Sequence, residues 1–217
     1  MLCLFVLAFT NYEMGAIDIE WVGLKNFEHL LSDAVFHRSL RNTMLYVVYV
    51  VPVSVLGGLL IALLIHARTK SRSFYEVIYF LPVTSTLIAM ATVWQFLLNP
   101  KLGPVNTLLQ LLGQSQQNFL GDPALMIPTL AGIGVWQLLG FNMILFLTGL
   151  SGIPKELYEA AAVDGVTHPL DKFFTVTWPM LGPTALFVWV TSTITAFKVF
   201  DTVAVLTQRS EERRVGK

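Results

Sequence analysis

Residues 42–67 read NTMLYVVYVVPVSVLGGLLIALLIHA, a run without a single Asp, Glu, Lys or Arg. A helix needs about 20 mostly apolar residues to cross a hydrocarbon layer of roughly 30 Å, and this run exceeds that. Working outward, three more charge-free windows of spanning length follow, at 77–100, 123–154 and 173–197. Strands do not account for them, because a membrane barrel is built from alternating segments of about ten residues. The whole composition agrees: 54% of the 217 residues are apolar and 13% charged, against about 25% charged in an ordinary soluble domain. The expected fold is therefore all-α, a polytopic transmembrane helix bundle with four complete spans. Met1 to Thr10 is also apolar but too short to cross. It lacks a basic leader and a small-residue cleavage site, so it reads as the end of a first span whose beginning is missing, in preference to a signal peptide.

Several function classes drop out. The formal net charge is zero, which argues against an electrostatic nucleic-acid binder. The one cysteine, Cys3, has no partner for an internal disulfide. No zinc-type Cys/His spacing and no nucleophile elbow occurs, so no catalytic or metal-ligating set is expected. Nor is there a GxxxxGK[ST] loop, the only Gly-Lys pair being Gly216-Lys217. No cofactor is expected on this chain.

The connections set an expected orientation. Residues 66–72 form a short basic loop with Arg68, Lys70 and Arg72, which the positive-inside bias places in the cytoplasm. Alternation puts 11–41, a mixed segment with Glu13, Asp18, Glu20, Glu28 and Asp33 against Lys25, Arg38 and Arg41, on the outside. The polar segment 101–122, with an amphipathic piece around Val105 to Leu112, falls outside too, and 151–179 falls inside.

Segment 151–179, SGIPKELYEAAAVDGVTHPLDKFFTVTWP, has the pattern of a helix, a turn and a second helix. Pro154 suits a first helical turn, and Lys155 to Val163 are mostly good helix formers. Gly165 can take the left-handed conformation that stops a helix. Thr167 is expected to cap the second helix, with Pro169 near its start and Pro179 at its end. Ala160, Ala161 and Ala162 would let another surface approach closely, Glu159 would offer an acidic handle to a basic partner, and Leu157 and Tyr158 would supply apolar anchors. The plainer alternative is an amphipathic loop lying on the membrane surface.

The run Glu159-Ala160-Ala161, then Asp164-Gly165, then Val176 to Pro179, resembles the EAA loop of ATP-binding-cassette importer permeases. Two features depart from that pattern. Ten residues separate Gly165 from Val176 where the family usually has nine, and Trp178 stands where it has Leu; one inserted residue should rotate the second helix. Other stretches resemble the sugar and glycerol-phosphate branch, the maltose- and lactose-type permeases. These are Val22 to Phe27, Arg41-Asn42-Thr43, Tyr79 to Pro82, Leu98-Asn99-Pro100, Gly140 to Met143, Gly152-Ile153-Pro154 and Phe200-Asp201-Thr202.

The resemblance implies a permease in a bacterial plasma membrane, with a transmembrane domain over 1–208, incomplete at both ends. The charged stretch 209–217 departs from the family and reads as a non-native or disordered tail. It also implies three protein partners besides the bilayer. These are a cytoplasmic ATPase dimer carrying ATP and Mg, a second permease chain and an extracytoplasmic solute-binding protein. The ATPase would dock on Glu159, Ala160, Ala161, Asp164, Gly165, Leu157 and Tyr158. Polar groups within the windows, namely Gln137, Asn142, Tyr46, Tyr49, Thr191 and Thr195, are candidates for the solute path. For each the alternative is a bond to a neighbouring helix or carbonyl. The rival class is a stand-alone ion-coupled carrier. It would need an ionisable group at depth, and the windows hold none except His66 at an edge.

Overall fold

The computed structural model describes residues 2–12, 20–68 and 71–198. Lys70 of the basic loop, Glu13 and Asp18, the stretch Phe200 to Thr202 and the tail 209–217 lie outside the described residues. The chain divides into two units, Met1–Met44 and Leu45–Lys217.

In the first unit, α1 (Leu2–Leu7) and α2 (Lys25–Ser32) lead into the start of α3 (Ala34–His66). The reason for the Val22 to Phe27 pattern is visible here. Gly23 takes a positive φ of 62° and turns the chain. Asn26 Nδ2 then donates to the carbonyls of Ala8 and Thr10, each at 2.9 Å. Phe27 packs on Phe9, which also stacks on Trp21. A backbone bridge between Thr10 and Trp21 closes the same knot.

The second unit contains the rest of α3, α4 (Arg72–Thr84), α5 (Leu87–Leu97), α6 (Pro104–Leu111), α7 (Pro123–Ser151), α8 (Lys155–Val163), α9 (Pro169–Lys172) and α10 (Trp178–Phe197). A π-helical turn, Phe173–Thr177, joins α9 to α10 in one continuous helix, Pro169–Phe197. Among the described residues three helices are long and apolar enough to cross a membrane: α3, α7 and Pro169–Phe197. The second charge-free window is not one straight rod. Helix α4 stops at Thr84, Thr86 caps α5, and the segments Arg72–Thr84 and Ala89–Leu97 meet at 98°, the geometry of a broken span or of a re-entrant loop.

Lipid offers helices no hydrophobic reward for meeting, so small residues and polar bonds must hold a bundle together. Both are present. A Cβ on Gly58 of α3 would stand 2.8 Å from Asn142 Cβ and 3.1 Å from the Met143 nitrogen, so the α3 and α7 backbones touch there. Gly140 lets the carbonyl of Tyr79 on α4 rest directly on α7. At this level Asn142 is wholly buried. Its Nδ2 donates to Ser54 Oγ on α3 at 3.3 Å, and its Oδ1 accepts from Ser192 Oγ on α10 at 3.0 Å. One amide thus ties three helices within a bundle whose main core includes Val50, Val55, Phe146, Leu181 and Val188. Interhelical bonds of this kind are worth about 0.6 kcal/mol on average and up to about 1.7. Asn142→Leu should therefore cost about 1 to 3 kcal/mol, read as a lower unfolding midpoint in detergent.

Away from α8, a smaller cluster of Met90, Leu98 and Ile133 packs with Trp94, Val105 and Phe119, joining α5, α6 and α7. Helix α6 is the amphipathic piece expected over Val105 to Leu112. It is pinned by Asn106, whose amide bonds the backbone of Asn99 and Gln117.

Candidate functional site

Helix α8 begins after Pro154, which has the extended ψ of 136° of an N-cap residue. It ends in a complete Schellman closure. Gly165 adopts φ 86°, its N–H donates to the Ala162 carbonyl at 3.2 Å, and the Val166 N–H reaches back to Ala161 at 2.9 Å. Val166 and Ala161 then pack into the main core together. A side chain at Gly165 must enter the left-handed region at about 1–2 kcal/mol. Gly165→Ala should accordingly loosen the end of α8, seen as faster amide exchange at Gly165 and Val166.

The closure decides which face of α8 is offered outward. Glu159, Ala160, Ala162 and Asp164 are exposed, and Leu157 is partly so. Among the described residues the Glu159 carboxylate has no ion-pair partner. Two residues expected on the docking face are turned the other way. Ala161 is buried against the bundle, and the Tyr158 ring packs on the core with its hydroxyl 3.0 Å from Thr177 Oγ1. The cause is helical spacing: 158 and 161 are three apart and share the inner face, while 159 and 160 turn away from it; Ala162, four from 158, lies at the margin of that face and is exposed.

The second half of the loop departs from expectation in two places. His168, not Thr167, is the N-cap, its Nδ1 accepting from Leu170 N–H at 3.3 Å. Pro169 occupies the first helical position and forces the residue before it into the extended geometry a cap needs, which selects His168. Nor does Pro179 end a helix; it sits in the first turn of α10, and the helix runs on. The π-turn immediately before it explains why. A proline clashes with the carbonyl four residues back, and the wider turn at Phe173–Thr177 opens the helix at that level.

The basic loop lies on the same end of the bundle. Arg72 bonds Glu76 at 2.7 Å and reaches Ser151 Oγ, the last residue of α7, at 3.3 Å. Arg68 stands over the Tyr75 ring at 5.5 Å. Sequence alone gave no sign of the Arg72–Ser151 bond. Beside α8, a cleft of about 450 Å³ opens between the ends of α7 and α10, with Thr148, Gly149, Thr184 and Phe187 in its wall.

The solute-path candidates scatter. Asn142 is enclosed among the helices and its amide is used by Ser54 and Ser192, so it has no surface to offer a solute. Tyr46 is 8% exposed and its hydroxyl lies against Gly134. Tyr49 is open, 55% exposed, and Gln137 is partly so. The hydroxyls of Thr191 and Thr195 return to their own helix, at the Phe187 and Thr191 carbonyls, each at 2.8 Å. Ser192 belongs to the same run of hydroxyls, Thr191 to Thr195, that the sequence offers as path candidates, and Ser54 carries no such signal. Small hydroxyls in an apolar run carry no signal of which partner they meet.

The described residues thus form membrane-length helices with the short helix α8 at one end. Residues 43–213 match the family described as binding-protein-dependent transport system inner membrane component, and the chain belongs to that family. It is 35% identical over 192 residues to the probable ABC transporter permease protein YurN of Bacillus subtilis, covering 86% of this chain and 65% of that protein. It is 34% identical to the trehalose/maltose transport system permease protein MalF of Thermococcus litoralis, covering 86% and 63%. The fold matches a crystal structure of a bacterial ABC transporter involved in the import of the acidic polysaccharide alginate. That match has a TM-score of 0.80 at 25% identity and covers 94% of this chain and 69% of the other. The chain thus spans slightly under two thirds of the length of these two curated relatives.

Proposed function

We propose that this chain is a permease subunit of a bacterial ATP-driven importer, passing a sugar or related solute handed over by an extracytoplasmic binding protein. Helix α8 is the dock for a cytoplasmic ATPase, which holds the ATP and Mg. A second permease chain completes the path, and the polypeptide sits multi-pass in the plasma membrane with α8 and the Arg68–Arg72 loop inside. The observation that carries this reading is the outer face of α8: Glu159, without an ion-pair partner among the described residues, beside Ala160 and Ala162 on a helix locked at its end by Gly165. Small side chains permit close approach, and the carboxylate gives a basic partner a fixed point.

Two further points support it. No Asp, Glu, Lys or Arg is buried among the described residues, whereas a carrier driven by an ion gradient usually keeps such a group at depth. Relatives over most of the chain include a trehalose/maltose and an arabinooligosaccharides transport system permease protein. Tyr49, Gln137, Thr191 and Thr195 remain the candidates for solute contact, Asn142 and Tyr46 acting from within the bundle. The test is co-purification. The chain solubilised in mild detergent should retain the cytoplasmic ATPase from its own cell extract, through a bond competed by a peptide spanning 154–166. Quantitative recovery of the chain without any ATPase would count against it.

A further inference from the structure

We infer that the hydrogen bond between Tyr158 and Thr177 is the tie through which movement of α8 reaches α10, which makes Tyr158 a positioning residue of the transport cycle. The inference rests on the docking role of α8 proposed above.

The geometry is specific about where the tie lands. From α8 the chain reaches α10 by way of Gly165, α9 and the π-turn. A π-turn carries one residue more than an α-turn, so the regular α-helical ladder is interrupted over Phe173–Thr177. A push delivered to α8 and passed only along the chain must cross that interruption. The Tyr158 hydroxyl shortens the route: it bonds Thr177 Oγ1 at 3.0 Å, and Thr177 is the last residue of the π-turn, next to Trp178 where α10 begins.

Either hydroxyl can donate in this pair. Thr177 Oγ1 also lies 3.5 Å from the Lys172 carbonyl, which can only accept, so when Thr177 turns its proton there Tyr158 is the donor. Thr177 is 6% exposed and Val176 beside it 7%, so water is poorly placed to replace the phenol. Ala161 and Val166 hold the inner face of α8 against the same core.

The test uses the chain assembled with its ATPase and partner permease in nanodiscs. Cys3→Ser removes the native thiol, and Phe187→Cys places a reporter on α10 in the wall of the cleft. The probe is the rate of labelling by a membrane-impermeant maleimide, with and without ATP plus vanadate. In this parent, trapping nucleotide should change the rate severalfold. Tyr158→Phe keeps the ring but loses the hydroxyl; it should retain the ATPase and lose the change. Thr177→Val should do the same, and Thr177→Ser should restore the response. An undiminished change in Tyr158→Phe, or no change in the parent although the ATPase is bound, would overturn the tie. Loss of ATPase by Tyr158→Phe would also overturn it, making Tyr158 a docking residue. A parent that never binds ATPase would remove the docking reading along with it.

Discussion

Replacing Gly140 by valine is expected to separate α4 from α7 and leave a protein that no longer runs as a single species in detergent. The position has no room. Even a Cβ would overlap the carbonyl of Tyr79, and the Val83 side chain lies 3.4 Å away. The nearer obstacle is backbone, so no rotamer change relieves it; α4 must move as a unit. Overpacking a close contact costs about 1–3 kcal/mol, occasionally more, and a rigid backbone obstacle puts Gly140→Val at the upper end. The helix-to-helix approach that small residues permit is also the main source of cohesion in lipid. Gly132, eight positions earlier on the same helix, has nothing within 4 Å of its would-be Cβ. Gly132→Ala should be neutral or slightly stabilising, by up to about 1 kcal/mol, because alanine is the better helix residue. Thermal unfolding and size-exclusion profiles of the two variants check the contrast.

Reversing the charge on the outer face of α8 should have the largest effect on assembly. Glu159→Lys leaves the fold alone, since the side chain is exposed and pairs with nothing described. What it changes is the encounter with a basic partner. Removing one member of a buried interfacial charge pair costs about 2–5 kcal/mol, and reversing it adds repulsion. Capture of the ATPase should fall by about 30-fold or more, while the unfolding midpoint stays within error. An exposed control on the same helix, Lys155→Gln, should alter capture far less. Equal capture by Glu159→Lys and the parent would remove Glu159 from the interface.

How much of this was legible beforehand depends on the kind of signal. The charge-free windows at 42–67, 123–154 and 173–197 predict spans and correspond to α3, α7 and the helix through α10, because exclusion of charge is a property of each stretch alone. The window at 77–100 reads the same way, yet it is broken at Ser85 and Thr86. Two hydroxyl residues in an apolar run are tolerated in a helix, and only the structure shows Thr86 capping a new one. Gly165 is legible because its left-handed geometry has one economical residue. Pro179 misleads because a proline stops a helix only where the preceding turn is tight, and here that turn is π.

Among candidate site residues, those defined by local spacing fare differently from those defined by polarity. Glu159, Ala160 and Asp164 are exposed on a short helix, as the pattern suggests. Tyr158 and Ala161 are on its inner side, since an amphipathic nine-residue helix does not announce which face the bundle will take. Asn142 drew attention as a polar group in lipid. Its partners, Ser54 and Ser192, are 88 and 50 positions away, and nothing local pairs them.

A photoreactive residue placed at Ala162, on the outer face of α8, tests the central claim most directly in intact membranes. A second placed at Leu108, on α6, serves as the control. Illumination should join the chain to the cytoplasmic ATPase from position 162 and not from 108. Absence of an ATPase adduct at 162, or equal adducts from both positions, would contradict the assignment of α8 as the dock.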